Sequence, residues 1–233
     1  MLEEYIKENE YFMMNIIKLK LNIANTSHIT NSYIVYDENK IGMVIDPGDE
    51  FFKIKYELEK KDIKIKYIVL THAHFDHVNA LFELQKYTNA QVLVNKFDFD
   101  MLTGKVDNAA FFFTNENKYI DENIIKTVED GEIIYVGNLI FKLIHTPGHT
   151  AGSMIIGNEK ENILFTGDTI FEKEYGRCDL ATGNFDDMVN SLRKIFNNFS
   201  KNTIIYPGHG NKSSLEVTRR YISLLLALKK IKL

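Results

Sequence analysis

A single cysteine, Cys178, excludes any intrachain disulfide. Without disulfides to form, the cytoplasm is the default location. Apolar runs are short, such as Leu224 to Leu228, and none approaches the ~20 residues that a membrane span requires. The stretch from Met1 to Glu10 is charged and carries no apolar segment, so no secretory signal is read there. No basic block occurs: 28 Lys and Arg face 32 Asp and Glu, a formal charge of -4. That balance argues against general nucleic-acid binding. Low-complexity tracts and Gly/Ser or Pro linkers are also missing. The 233 residues are therefore expected to form one domain, with residues 1–14 as an N-terminal extension.

What is present is an ordinary globular composition, 45% apolar and 26% charged. A chain of 27.0 kDa buries about 72% of its extended surface on folding, enough for a sizeable core. Proline occurs only three times, and Pro47, Pro147 and Pro207 are each followed by glycine. Pro-Gly marks a tight turn, and each of these closes a strand-like run (residues 43–46, 139–145 and 203–206).

Alternation at Ile17, Leu19 and Leu21 predicts a strand over 15–21, and residues 31–37 and 41–46 read as a hairpin pair. Helical composition covers 50–61. The run 66–71 reads as a buried strand, 78–87 as a helix with Val78, Leu81, Phe82 and Leu84 inward, and 91–95 as a strand. The second half repeats the plan. Strands 132–136 and 139–145 flank Gly137-Asn138, a two-residue hairpin signal. Strands 153–157 and 163–166 follow, then an amphipathic helix over 185–199, a strand over 203–206 and a closing helix over 215–233. Two strand-rich halves, each closed by helices, predict facing sheets with helices outside, an α/β sandwich. Residues 96–127 are the least legible. There, Phe111–Phe113 reads either as a core plug or short helix, or as an aromatic flap beside a pocket.

Five of the 7 histidines follow predicted strands in short motifs. The densest is His72-Ala73-His74-Phe75-Asp76-His77. In a loop leaving a strand, His72 and His74 can point to one side and Asp76 and His77 to another, an arrangement for two ions. His149 follows in Thr146-Pro147-Gly148-His149-Thr150, Asp168 in Thr166-Gly167-Asp168-Thr169, and His209 in Pro207-Gly208-His209-Gly210. Imidazole with carboxylate suits zinc, iron or manganese. Four loops at strand C-termini can converge on one rim.

This ordered set resembles the metallo-β-lactamase-fold hydrolases, and most closely their glyoxalase II-like branch. The resemblance covers roughly residues 15–211, including Ile45-Asp46-Pro47-Gly48 and Gly176-Arg177. It implies a four-layer αββα sandwich. It implies that His72, His74 and His149 hold one divalent ion, that Asp76, His77 and His209 hold a second, and that Asp168 bridges them. Zinc is the expected metal, with iron or manganese compatible with the set. The implied activity is hydrolysis of a small acyl thioester or ester by a hydroxide shared between the ions, with Asp76 holding the second ion and orienting the nucleophile's proton.

Asp46 reads either as a support hydrogen-bonded to the metal loop or as a turn cap. Arg177 matches a basic residue that contacts glutathione in glyoxalase II enzymes, or else pairs on the surface with Asp179. His145 falls inside a strand and His28 in a polar loop, so both read as structural. The seven candidate ligands leave Cys178 no metal role. Full glyoxalase II enzymes carry a C-terminal helical domain, for which the stretch after His209 is too short. Asp179 also stands where they have an aromatic hydroxyl. Lactone or ester hydrolysis on the same centre is one alternative, and a mononuclear-iron persulfide dioxygenase is another. The complete ligand set argues for two metals. The bridging Asp168 argues against a true β-lactamase, and His74 in place of a Glu against a flavodiiron oxidase. No nucleic-acid or membrane partner is expected.

Overall fold

The computed structural model describes residues 13–114 and 120–231. Six strands form the first sheet: β1 (Asn15–Asn22), β2 (Ile29–Tyr36), β3 (Ile41–Ile45), β4 (Lys64–Val69), β5 (Gln91–Asn95) and β6 (Ile125–Val128). Six more form the second: β7 (Ile133–Val136), β8 (Leu139–His145), β9 (Met154–Asn158), β10 (Ile163–Gly167), β11 (Ile204–Pro207) and β12 (Ser213–Ser214). In both sheets the spatial order follows the chain order. β1 to β3 and β7 to β10 run antiparallel to their neighbours, whereas β3 to β6 and the β10–β11 pair are parallel.

The alternation of strand side chains makes the layers. On β3, Met43 and Ile45 face the second sheet while Val44 faces outward; on β10, Ile163 and Phe165 face inward and Leu164 outward. The space between the sheets is filled by Tyr33, Val69, Phe141, Leu143, Ile156 and Phe165, among others. Burying one such large apolar side chain stabilises the fold by about 2–3 kcal/mol. Helices α1 (Phe51–Lys61) and α3 (Leu81–Thr88) cover the first sheet through Ile54, Leu58, Leu81 and Leu84. Helices α5 (Phe185–Asn198) and α6 (Leu215–Leu228) cover the second through Met188, Leu192, Ile195, Ile222 and Leu226. The result is the αββα sandwich expected from the sequence. The single-turn helices α2 (Phe75–Val78) and α4 (Phe99–Leu102) lie in the loops of the site edge.

Several boundaries differ. The helix read over 78–87 is broken at Asn79-Ala80 between α2 and α3; Val78, Leu81 and Leu84 are buried as expected, whereas Phe82 is exposed. β4 begins two residues early, because Lys64 and Ile65 pair with Ile41 and Gly42. The closing helix ends at Leu228; residues 232 and 233, at the end of the helix as read, lie outside the described residues, as does the extension up to residue 12. Strand β6, in the illegible stretch, pairs with β5 from Ile125 to Val128. Phe111 and Phe112 are exposed around a single 3-10 turn, and Phe113 packs against the core, stacked on Phe75 at 5.6 Å. Among the described residues, no helix is long and apolar enough to cross a membrane.

Candidate metal centre

Four loops leave the C-terminal ends of β4, β8, β10 and β11 and meet on one edge of the sandwich. They bring together His72, His74, Asp76, His77, His149, Asp168 and His209. His74 Nδ1 lies 2.9 Å from His149 Nε2, and the His72 ring centre lies 4.8 Å from that of His74 and 4.7 Å from that of His149. Asp168 sits between the two halves. Its Oδ1 is 3.3 Å from His77 Nε2, and its Oδ2 is 3.2 Å from His209 Nε2 and 3.6 Å from His149 Nε2. Asp76 Oδ2 is 3.3 Å from His209 Nε2 and 3.6 Å from His77 Nε2.

Most of these imidazoles are oriented from behind by groups outside the cluster. His72 Nδ1 lies 3.1 Å from Thr71 Oγ1, and His77 Nδ1 lies 2.9 Å from Asp46 Oδ2. His149 Nδ1 donates to the Arg177 carbonyl, and His209 Nδ1 donates to the Ile29 carbonyl, both at 2.7 Å. Their other nitrogens therefore face inward, the arrangement that metal-binding histidines adopt. Asp46 also accepts from the Thr71 amide and hydroxyl, so it supports the loop rather than only capping a turn. It does so from the left-handed backbone region, φ 52°, which Asp tolerates better than most residues.

Glycines let the loops close. Gly148 has φ 140°, and a Cβ there would collide with Met188 at the start of α5. Helix α5 holds that loop further: the Asn184 amide donates to the Gly148 carbonyl, and Ser191 Oγ donates to the Pro147 carbonyl. The Asn184 side chain caps the helix by accepting from the Asp186 and Asp187 amides, a cap that contributes about 1 kcal/mol. Gly208 lies so close to Asp168 and His77 that no side chain fits.

The electrostatics divide the cluster. Burial, reinforced by the neighbouring imidazoles, holds His72 well below the ordinary histidine range and His74 down to about 3, so both are neutral. Burial also acts against charge on His77 and His209, but the carboxylates outweigh it. Asp76 and Asp168 hold His77 well above its usual range, and Asp168 with Asp76 lifts His209 to about 10. Burial in turn works to raise both carboxyls, yet the adjacent imidazolium charges hold them well below the usual carboxylate range.

The donor set fits divalent ions on one observation above all. His72 Nε2 is buried without a hydrogen bond, and the buried His77 Nε2 and Asp168 Oδ1 face only other members of the cluster, 3.3 Å from each other. An unpaired buried nitrogen of this kind costs roughly 1–3 kcal/mol, and divalent ions would satisfy these donors. Donor atoms of His72, His74 and His149 form one group close enough to share an ion; His72, His77 and Asp168 form another. A third group adds a residue that the sequence reading treated as structural: His28, with Asp76 and His209.

His28 Nε2 lies 3.0 Å from Asp76 Oδ2, and Thr30 Oγ1 donates to the same oxygen at 2.9 Å. Asp98 was missed as well. Its buried carboxylate accepts from the Ala73 amide, the Thr150 hydroxyl and the Gly152 amide, tying the His72/His74 loop to the His149 loop. Neither residue carries a local motif, and each acts across a long sequence separation. His145 is structural, its Nε2 donating to the Ala151 carbonyl while its ring stacks on Phe97.

The metallo-beta-lactamase superfamily profile matches residues 26–209. The chain belongs to the metallo-β-lactamase superfamily. Hydroxyacylglutathione hydrolase GloC of Haemophilus influenzae is 27% identical over 202 residues, covering 85% of this chain and 93% of GloC. The crystal structure of the BLEG-1 B3 metallo-beta-lactamase is similar with a TM-score of 0.79 and 25% identity, over 91% of this chain and 99% of that one. The structure of TTHA1623 in a di-iron-bound form is similar with a TM-score of 0.77 and 26% identity, over 88% and 98%. The chain is accordingly a metal-dependent hydrolase of this superfamily.

In this metallo-β-lactamase-fold protein the cluster opens into a cleft of about 300 Å³. Its other walls are His28, Ala109, Phe112, Phe113, Arg177 and Leu180. Arg177 does reach the cleft. Its guanidinium lies 5.9 Å from the Phe112 ring centre and is clasped at both ends by Asp179, at 2.7 and 2.8 Å. Arg177 is thus paired with Asp179, as one reading expected, and it also lines the cleft. Cys178 is half-buried, and that burial, with Asp179, pushes its thiol up to about 11.

Proposed function

We propose that this chain is a binuclear metal-dependent hydrolase of small acyl thioesters. The observation that carries the reading is the convergence of buried imidazole and carboxylate donors that face one another and no other partner at the cleft. His72, His74 and His149 would hold one ion, and Asp76, His77 and His209 the other. Asp168 stands within 3.6 Å of His149, His77 and His209 and would bridge the pair. Imidazole and carboxylate donors accept zinc, iron or manganese, and zinc is the metal we propose. Divalent ions bound there supply an acidified water and a positive charge at the carbonyl oxygen.

The chain's own residues do the rest. Asp76 is held by the Thr30 hydroxyl, which donates to its Oδ2, and would orient the proton of the attacking water. Phe112, Phe113, Ala109 and Leu180 exclude bulk water from the acyl group. Asp179 neutralises the cation on the cleft wall, so a small or apolar thiol arm fits better than a charged one. The similarity to hydroxyacylglutathione hydrolase GloC supports the thioester class. No nucleic acid or membrane enters this reading, and the absence of disulfides suits the cytoplasm.

The test is metal content per chain after purification without added metal. Turnover of S-lactoylglutathione, an uncharged thioester, a lactone and a β-lactam is assayed on the same sample. About two zinc ions with thioester turnover is the expected result. Two ions with turnover only of lactones or other esters would move the assignment to ester hydrolysis. One iron with no hydrolysis would replace it with persulfide oxidation.

A further inference from the structure

We infer that His28 supplies an additional metal-binding nitrogen, forming with Asp76 and His209 a donor set on the cleft side of the centre. The inference rests on the reading that the cluster holds divalent ions, and adds a loop that leaves no motif in the sequence.

Three observations carry it. First, His28 Nε2, Asp76 Oδ2 and His209 Nε2 all lie within 4.8 Å of one another. The His28–Asp76 separation is 3.0 Å and the Asp76–His209 separation is 3.3 Å. Donors bonded at about 2.0–2.1 Å around a tetrahedral ion stand roughly 3.3 Å apart, so the spacing already matches.

Second, the segment that carries His28 also builds the rest of this set. The Ile29 carbonyl orients His209 through Nδ1, and Thr30 Oγ1 orients Asp76. One short stretch thus positions both other donors and offers a third.

Third, the His28 backbone is held in place, and its ring faces the cleft. Its carbonyl accepts from the Ile23 amide at 3.0 Å, and its amide donates to Thr26 Oγ1 at 3.1 Å. The ring lies 5.1 Å from that of Phe113 and 4.9 Å from that of His209. It therefore lines the cleft together with Phe113 and His209. The ligand class is a divalent ion that accepts imidazole, such as zinc, cobalt or iron.

The experiment is a Co²⁺ and Zn²⁺ titration in competition with a chromophoric chelator, on the wild-type chain and on His28→Ala and His28→Gln. The Gln side chain can still donate to Asp76 but is a poor metal ligand, so it separates coordination from hydrogen bonding. Wild type is expected to bind two ions. Both variants are expected to keep first-ion affinity, to weaken second-ion binding by about 10- to 100-fold, and to change the visible spectrum of the Co²⁺ form. Second-ion affinity and a Co²⁺ spectrum that stay at wild-type values in His28→Gln would overturn the inference, leaving His28 as a hydrogen-bond donor to Asp76. A wild-type chain that binds no second ion would overturn the proposed function as well, and that failure shows before any variant is compared. Far-UV circular dichroism of the two variants checks that the exposed loop change leaves the fold intact.

Discussion

Gly208 shows how little room the site leaves at the scale of one residue. A methyl there would press on Asp168 Oδ1 and lie 2.7 Å from His77 Cε1. Gly208→Ala is expected to lower metal content well below two ions per chain while leaving the far-UV spectrum unchanged, which metal analysis with circular dichroism will check. The Arg177–Asp179 pair makes a second prediction at this scale. Both side chains are exposed, and such pairs shift equilibria only a few-fold. Asp179→Asn frees the guanidinium. It is expected to raise kcat/KM for a thioester with an anionic thiol arm by about threefold and to leave an uncharged thioester unchanged. Steady-state kinetics on the two substrates decide it. The ligand-type residues of the motifs were legible one by one, because histidines and aspartates beside glycine after a strand leave few other readings. His28 and Asp98 were not legible: their partners lie 48 and at least 25 residues away.

At the scale of elements, the site depends on loops tied to each other rather than on any one of them. Asp98 precedes α4, and its carboxylate holds the Ala73 amide at 3.0 Å and the Gly152 amide and Thr150 hydroxyl at 2.8 Å. Asp98→Ala would leave buried amides unpaired, at roughly 1–3 kcal/mol each. The expected outcome is a lower melting temperature and weaker binding of the His72–His74–His149 ion, measured by calorimetry and chelator competition. Helices α5 and α6 were read from their apolar faces, and α5 begins where expected. The helix over 78–87 was read as starting three residues early, because its apolar pattern spans a break that only the packing of Pro47 and Gly48 reveals. Their carbonyls accept from the Ala80 and Asn79 amides, which anchors the break between α2 and α3.

Across the whole molecule, metal binding is coupled to protonation and to stability. In the metal-free protein His77 and His209 keep their protons at neutral pH, the latter up to about 10, while His72 and His74 are neutral. Loading the site must displace the protons of His77 and His209, so apparent affinity is expected to rise between pH 6 and about 10. Titration calorimetry in two buffers of different ionisation enthalpy will show the release. A raised folded pKa contributes stability that is full below 6.5 and lost as the pH climbs toward about 10. Metal-free protein is therefore expected to lose stability over that window. Loaded protein, with those imidazoles already unprotonated, is expected not to. At 100 times the dissociation constant a bound ion adds about 2.7 kcal/mol, so chelation should lower the melting temperature.

By itself the sequence determined the layers and the candidate donors. Period-two alternation decides which strand faces are buried, and the order of the His and Asp motifs decides which strand ends carry donors. Both are local properties of the chain. Only the tertiary structure decided which donors meet. It brought the loop at His28 against Asp76 and His209, bound the His74 and His149 loops through Asp98, and clasped Arg177 with Asp179 on the cleft wall. These contacts arise from the packing of two sheets against each other, and no residue pattern along one strand or loop encodes that distance.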